Sequence, residues 1–136
     1  MDVTILTDSA RGLVPFLIYV GLSLGLLAVY VAVYTLATHH DEMALIRANN
    51  PAAAIAFGGS MIGYALPLAS AAIASRAMIE FLLWGVVAIL IQILIYWIFR
   101  LVLLPDMSAR IDRGEVAAGL FLGAASLTGG IVNAAA

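Results

Sequence analysis

The stretch Arg113 to Ala136 reads RGEVAAGLFLGAASLTGGIVNAAA, and it decides the class of fold. From Val116 to the last residue no side chain carries a charge. About 21 residues, rising 1.5 Å each, cover roughly 30 Å, which is the thickness of the hydrocarbon core of a bilayer. This stretch is therefore predicted to be a membrane-spanning helix.

Small and polar residues recur along this helix at steps of three and four, which return to one face of an α-helix. They define a fourth-span seam, whose members are Glu115, Gly119, Gly123, Ser126, Gly130 and Asn133. Small residues let a second helix approach closely, and polar ones can line a water-filled path. Whether the seam packs against a helix or lines a pore decides the function.

Composition places the whole chain in the membrane class. Its 136 residues are 65% hydrophobic and 10% charged, whereas soluble domains are about 45–50% apolar and about 25% charged. The net charge of −2 gives no reason to expect a nucleic-acid partner. Because cysteine is absent, disulfides, thiolate metal sites and thiol catalysis are excluded.

Three more uncharged stretches precede the fourth span, so we predict an all-α integral membrane protein with a single membrane domain, 1–136. The first twelve residues lack the positive region of a secretory signal, and the first span is expected to remain in the mature protein. The connector before residue 51 is expected to contain a helical turn around Glu42 to Arg47. The predicted spans are 13–37, 51–75, 77–104 and 116–136.

When the sequence is aligned with itself at a shift of 65 residues, the polar connectors coincide, and so do the helices that follow them. Tyr19 then falls on Trp84, and Gly58 falls on Gly123. This pattern predicts a tandem duplication of a two-helix unit, with repeats at about 13–75 and 78–136. Because each unit has two spans, the repeats are parallel and related by a pseudo-twofold axis along the membrane normal.

Arginine counts predict the orientation, because positive residues favour the cytoplasmic side. The side with the first and third connectors holds more arginines than the other, which has Arg11 and Arg76. Both termini are then expected to be non-cytoplasmic. The arginines on the predicted cytoplasmic side are Arg47, Arg100, Arg110 and Arg113.

Three motifs resemble domain-of-unknown-function family 350 (DUF350), the YjfL-like bacterial membrane proteins. They are N-x-A-A-A from Asn50, R-G-E-V-A-A-G from Arg113 and G-x-x-N-A-A-A from Gly130. The resemblance covers nearly the whole chain, and it implies a four-helix protein of the bacterial inner membrane. It also implies that the protein is encoded near genes for phage-shock-type membrane-remodelling proteins and ATP-grasp ligases. It implies no particular activity.

Residues that could perform chemistry are few. His39, His40, Asp41 and Glu42 form the one cluster of metal-type ligands, and a solvated connector explains them better than a metal site. No nucleophile, base and orienting group can be assembled, and phosphate-binding glycine loops are absent. We therefore expect no enzyme activity, no metal and no cofactor.

Neutral polar residues are expected near the middle of the membrane. This midplane belt consists of Ser60, Tyr64, Gln92, Ser126 and Thr128. Every ionisable group lies nearer an interface, which disfavours energised transport of charged solutes. The Gln92 amide must find a partner, because an unpaired amide in hydrocarbon costs several kcal/mol.

Other spans carry small residues as well, with pairs at Gly21/Gly25 and Gly59/Gly63, and the stripe of the second span could pack on the fourth-span seam. The third span has only Gly85, so we expect it to face lipid or a neighbouring subunit. Near the membrane faces, Glu80 either pairs with Arg76 or joins Glu115 as a possible pore-mouth acid in an oligomer.

Two functions remain open, and both predict a homo-oligomer, because the small residues of the first span have no assigned partner. One is a passive channel or transport component lined by the seams. The alternative is a structural or partner-docking protein of the envelope, active in envelope stress or membrane maintenance. Its cytoplasmic connectors, 38–50 and 105–115, would then receive a membrane-stress partner. Membrane lipid surrounds the protein in both cases.

Overall fold

The structure, a computed structural model, describes residues 2–38, 41–102 and 105–136. These ranges contain helices and no strand, which confirms the all-helical prediction. The helices are α1 (Val3–Arg11), α2 (Leu13–Ala37), α3 (Glu42–Arg47), α4 (Pro51–Ala74), α5 (Met78–Val102), α6 (Met107–Asp112) and α7 (Val116–Ala135).

Four helices are long and apolar enough to cross a membrane, as predicted. They are α2, which continues α1 into one run of 35 residues, together with α4, α5 and α7. The short helix α3 has the bounds that its sequence predicts. The helices α1 and α6 were not predicted, because their polar sequences read as a terminus and a connector.

Local sequence explains where these helices begin. Asp2 caps α1, since its Oδ1 accepts a hydrogen bond from the Thr4 backbone N at 3.0 Å. Asn50 caps α4 in the same way through the Ala53 N at 3.1 Å, and Pro51 takes the first helical position, where its missing N–H costs nothing. The helix α4 then continues through Pro67 to its end.

The spans form two parallel pairs. Along α4 and α7 the contacts advance together, because Ala52 lies against Gly119 while Ser70 reaches Ala134 further along. The helix α5 runs antiparallel to α7, and it contacts α2, α4 and α7. Its neighbour α2 runs parallel to it, because Tyr19 meets Phe81 and Leu26 lies on Gly85.

The most exposed span is α2, not α5. Among the described residues, α2 buries only Leu26, Tyr30 and Tyr34, whereas α5 buries a continuous face from Phe81 to Tyr96. The expectation that the third span faces lipid or another subunit is therefore wrong as a general description. One side of α5 faces outward, and its other side joins the three remaining spans.

Candidate functional site: the α4–α7 seam and the polar interior

The fourth-span seam meets the small residues of α4 inside one chain. A Cβ added at Gly59 would lie 2.5 Å from the Gly123 Cα, and one added at Gly123 would lie 2.9 Å from the Ile55 carbonyl oxygen. Real Cβ atoms do not approach backbone so closely, so both positions require glycine. The seam is a contact between two helix backbones.

The other seam glycines make the same kind of contact. A side chain at Gly119 would collide with the Ala52 backbone, and one at Gly130 would collide with the Gly63 carbonyl. A Cβ added at Gly63 of α4 would collide with the Ser126 carbonyl oxygen. All the glycines of the predicted seam therefore pack against the backbone of α4.

Two members of the midplane belt, Gln92 and Ser126, meet in the core. The Gln92 Nε2 donates a hydrogen bond to the Ser126 carbonyl oxygen at 2.6 Å, and both side chains are buried. The Gln92 Oε1 is also buried, and it has no hydrogen-bond partner in the part of the chain that the structure describes. The amide nitrogen of Gln92 therefore has a hydrogen-bond partner, whereas its amide oxygen is buried without one among the described residues.

Ser60 and Tyr64 face α2 and α5 from α4. The Ser60 hydroxyl is hydrogen-bonded to Tyr30, and the Tyr64 hydroxyl donates to the Gly85 carbonyl at 3.0 Å. The rings of Tyr30 and Tyr64 stack with centroids 4.5 Å apart. Sequence reasoning missed Tyr30, although a phenol in the middle of an apolar helix needs a polar partner.

The remaining neutral site residues, Thr128 and Asn133, lie apart from this core. Thr128 is exposed on the outer face of α7, where its hydroxyl donates to the Ala124 carbonyl of its own helix at 2.7 Å. Asn133 lies near the end of α7 and donates from Nδ2 to the Ala88 carbonyl at 3.4 Å. The predicted belt is therefore not one continuous polar layer.

The two candidate pore-mouth acids lie at opposite ends of the molecule. Glu115 precedes α7, and its Oε2 accepts from the Arg113 Nη2 at 2.7 Å, while the Arg110 Nε lies 3.5 Å from its Oε1. The hydrogen bond from Arg113 holds the Glu115 pKa below its usual value, with the charge of Arg110 contributing. Glu80 lies in the first turn of α5 and accepts from the backbone N of Arg76 at 2.9 Å.

Asn50 joins the two halves of the chain. Its Oδ1 caps α4, and its Nδ2 donates to the Ile111 carbonyl at the end of α6 at 2.8 Å. The residue before it, Asn49, has a φ of 65°, and Gly114, before Glu115, has a φ of 73°. Both connectors therefore turn into the next span through a left-handed residue, a conformation that favours glycine and asparagine.

Glu42 lies buried at the end of the bundle that holds α3, and sequence reasoning assigned it no buried role. Its Oε2 accepts a hydrogen bond from the Thr38 hydroxyl at 3.3 Å. Tyr34 lies beside it, and the Tyr34 ring packs against Tyr96 of α5 with centroids 5.7 Å apart. The available signal was a carboxylate shortly after a span, with tyrosines eight and twelve residues before it.

The metal-type cluster is only partly described, since His39 and His40 lie outside the described residues. Within residues 2–38, 41–102 and 105–136, no group of three or more His, Cys, Asp or Glu side chains could hold a metal ion. Asp41 caps α3 through the Ala44 N at 3.2 Å.

Comparison with known proteins identifies the family. The model of the family described as Domain of Unknown Function (DUF350) matches residues 8–136. The chain belongs to the DUF350 family. This DUF350 chain is 39% identical over 123 residues to the UPF0719 inner membrane protein YjfL of Escherichia coli K12, with 90% of the chain and 92% of that relative covered. It is equally similar to the protein of the same name from Escherichia coli O157:H7. No solved structure matches it.

Proposed function

We propose that this protein is a homo-oligomeric inner-membrane protein with a structural or partner-docking role. The observation that carries the proposal is the closed α4–α7 seam, in which Gly59 and Gly123 bring two helix backbones into contact. Such a seam gives each subunit a rigid core and leaves no space for a solute along it. The name of the Escherichia coli relatives and the four apolar helices support the inner membrane as its location.

The proposal includes a tandem duplication of a two-helix unit. The helix bounds support this duplication. The second-half helices α5, α6 and α7 begin at Met78, Met107 and Val116, each 65 residues after α2, α3 and α4. The left-handed residues Asn49 and Gly114 have the same spacing. With α4 parallel to α7 and α2 parallel to α5, the repeats would be related by a pseudo-twofold axis along the membrane normal.

The helix α2 is the element that would meet a neighbouring subunit. A Cβ added at Gly21 or Gly25 would find nothing within 4 Å, and Ala28 and Ala32 continue this exposed small face of α2. Small faces are what membrane helices use to associate closely. The proposal therefore assigns the oligomer contact to this face, on the side of α2 away from the buried Tyr30.

The connectors would carry the docking role. Arg47, the last residue of α3, is exposed, and so is Arg113, which follows the last residue of α6. The arginine distribution supports a cytoplasmic position for this end, with both termini on the other side. A membrane-stress protein of the cytoplasm is the class of partner that we propose, and the proposal includes no enzymatic step.

Cysteine cross-linking tests the α2 contact cleanly, because the chain contains no cysteine. We expect Ala28→Cys to form a disulfide-linked dimer in membranes on mild oxidation, since the exposed small faces of two subunits would bring the thiols together. The matched control is Leu90→Cys, on the exposed side of α5, which should remain monomeric. Equal cross-linking of both variants, or none at Ala28→Cys, would contradict the proposal.

A passive channel at an oligomer axis is the second candidate. The observation that favours it is the buried Gln92 Oε1, which has no partner among the described residues and could accept from a water in an opened bundle. It predicts ion flux in liposomes that falls in Gln92→Leu while oligomer mass is unchanged. Absence of flux from liposomes that contain intact oligomer would exclude it.

A further inference from the structure

A cavity of about 250 Å³ lies where α4 and α7 end and α5 begins. It extends from Glu80, in the first turn of α5, to the level of Ile91, about three turns further along the helix. Pro67 and Ala71 of α4 contribute apolar wall. The cavity shares Asn133 with the fourth-span seam but none of its glycines, and an inference about it does not depend on the proposed oligomer.

The two serine hydroxyls of this cavity have already used their protons. The Ser70 hydroxyl donates to the Ala134 carbonyl at 2.9 Å, and the Ser75 hydroxyl donates to the Ala71 carbonyl at 2.6 Å. The Asn133 Nδ2 donates to Ala88. The two serines are left with oxygen lone pairs to offer a ligand, and Asn133 keeps its amide oxygen together with a second N–H.

The charge in the cavity is negative. Glu80 is half-buried, and one of its oxygens accepts from the Arg76 backbone N. Glu80 forms no ion pair within the described chain, and no arginine, lysine or histidine is among the described residues that line the cavity. Trp84 stands one turn along the same face of α5 and also lines the cavity.

We infer that this cavity binds a primary ammonium group. An ammonium carries three donors and no acceptor, which matches the Glu80 carboxylate and the free hydroxyl lone pairs of Ser70 and Ser75. Its charge complements Glu80, and a cation is attracted to the face of an indole ring. The same carboxylate disfavours phosphate or any other anion.

Size and position indicate how the ammonium is presented. Whole small-molecule sites usually occupy about 300–1,000 Å³, so this cavity has room for a headgroup. Its Glu80 end lies at one end of the spans, near the level of lipid headgroups. The ammonium can belong to an aminophospholipid or to a free amine, and the two sources are separable by experiment.

The test uses the whole protein in micelles, in a Trp97→Phe background that leaves Trp84 as the sole tryptophan. Short-chain phosphatidylethanolamine is titrated while Trp84 fluorescence and the melting temperature are followed. We expect saturable binding that weakens roughly tenfold in Glu80→Gln, through loss of one partly exposed charge pair. Glutamine keeps an oxygen for the Arg76 N, and Glu115→Gln, at the opposite end, should bind normally.

Comparing phosphatidylethanolamine with ethanolamine distinguishes a lipid headgroup from a free amine. Binding of phosphatidylethanolamine with no response to ethanolamine assigns a lipid headgroup, and equal responses assign a free amine. Ala74→Leu narrows the cavity without touching Glu80 and should also weaken binding, so the test does not depend on one variant folding. Equal binding of phosphatidylglycerol, unchanged affinity in Glu80→Gln, or no response to either amine would overturn the inference.

Discussion

Two adjacent glycines of α4 differ in whether a side chain would fit at their position. Gly58 has open space where a Cβ would be, whereas Gly59 lies on the backbone of Gly123. Alanine favours a helix over glycine by up to about 1 kcal/mol at either position. Only at Gly59 does the added methyl group force two helices apart.

We therefore predict opposite effects of one substitution at neighbouring positions. Gly58→Ala should leave the free energy of unfolding unchanged or raise it slightly. Gly59→Ala should lower it by about 1–3 kcal/mol, the usual cost of overpacking. Unfolding in mixed micelles by added denaturing detergent measures both, and equal stability of the two variants would show that α4 and α7 are not in backbone contact.

Asn50 allows a second prediction at the scale of a residue, because its two amide atoms have separate tasks. Asn50→Asp keeps an oxygen for the Ala53 N but replaces the donor to the Ile111 carbonyl with a second oxygen. We expect a loss of about 1–3 kcal/mol from this unsatisfied contact, even though aspartate is a good helix cap.

The control for this prediction is Asn49→Gly, since the φ of 65° suits glycine. Thermal unfolding should show no loss of stability for the control. If Asn50→Asp is as stable as the unsubstituted protein, the hydrogen bond between the two connectors contributes nothing, and capping alone explains the asparagine.

At the scale of the elements, α2 is the span with the weakest attachment. Its described buried side chains are Leu26, Tyr30 and Tyr34, and Tyr30 is the one that hydrogen-bonds across to α4 in the middle of the membrane. A helix held in this way can adjust to a neighbour while α4 and α7 stay fixed. This difference between α2 and the α4–α7 pair fits the proposal that α2 makes the contact between subunits.

A double-mutant cycle measures the attachment. Tyr30→Phe and Ser60→Ala each remove one partner of the hydrogen bond, so their effects on the free energy of unfolding should be coupled by about 0.6–2 kcal/mol. The control pair is Tyr30→Phe with Thr128→Ala, because Thr128 bonds only within α7. Additive effects of Tyr30→Phe and Ser60→Ala would show that the hydrogen bond does not hold α2 in place.

The elements were largely predictable, and their contacts were predictable only in part. Uncharged length is a local property, so the spans ending near Ala37 and Ala74 could be read from hydropathy. Glycine spacing indicated that α4 and α7 offer small faces, but the choice between packing and a pore needed the position of Gly59 against Gly123. The Tyr30–Ser60 bond joins residues 30 positions apart, and no periodicity within one helix encodes it.

At the scale of the whole molecule, the polar groups are arranged by what each neighbouring helix can satisfy. Gln92 reaches Ser126 in the core, while Thr128, only two residues further along, points outward. The belt predicted from depth alone combined these positions, because depth does not distinguish the inner from the outer face of a helix. At this depth the glycine contacts close the core between α4 and α7.

Accessibility of the seam to a charged thiol reagent tests whether this core is closed in the membrane. Ser126→Cys changes one atom at a buried site in a cysteine-free chain, and Ser9→Cys, beside the charged Asp8 and Arg11, reports aqueous exposure. A closed seam predicts that Ser126→Cys stays unmodified in membranes while Ser9→Cys reacts fully, and that both react after denaturation. Modification of Ser126→Cys in intact membranes as fast as Ser9→Cys would mean that water reaches the seam, and would contradict the account.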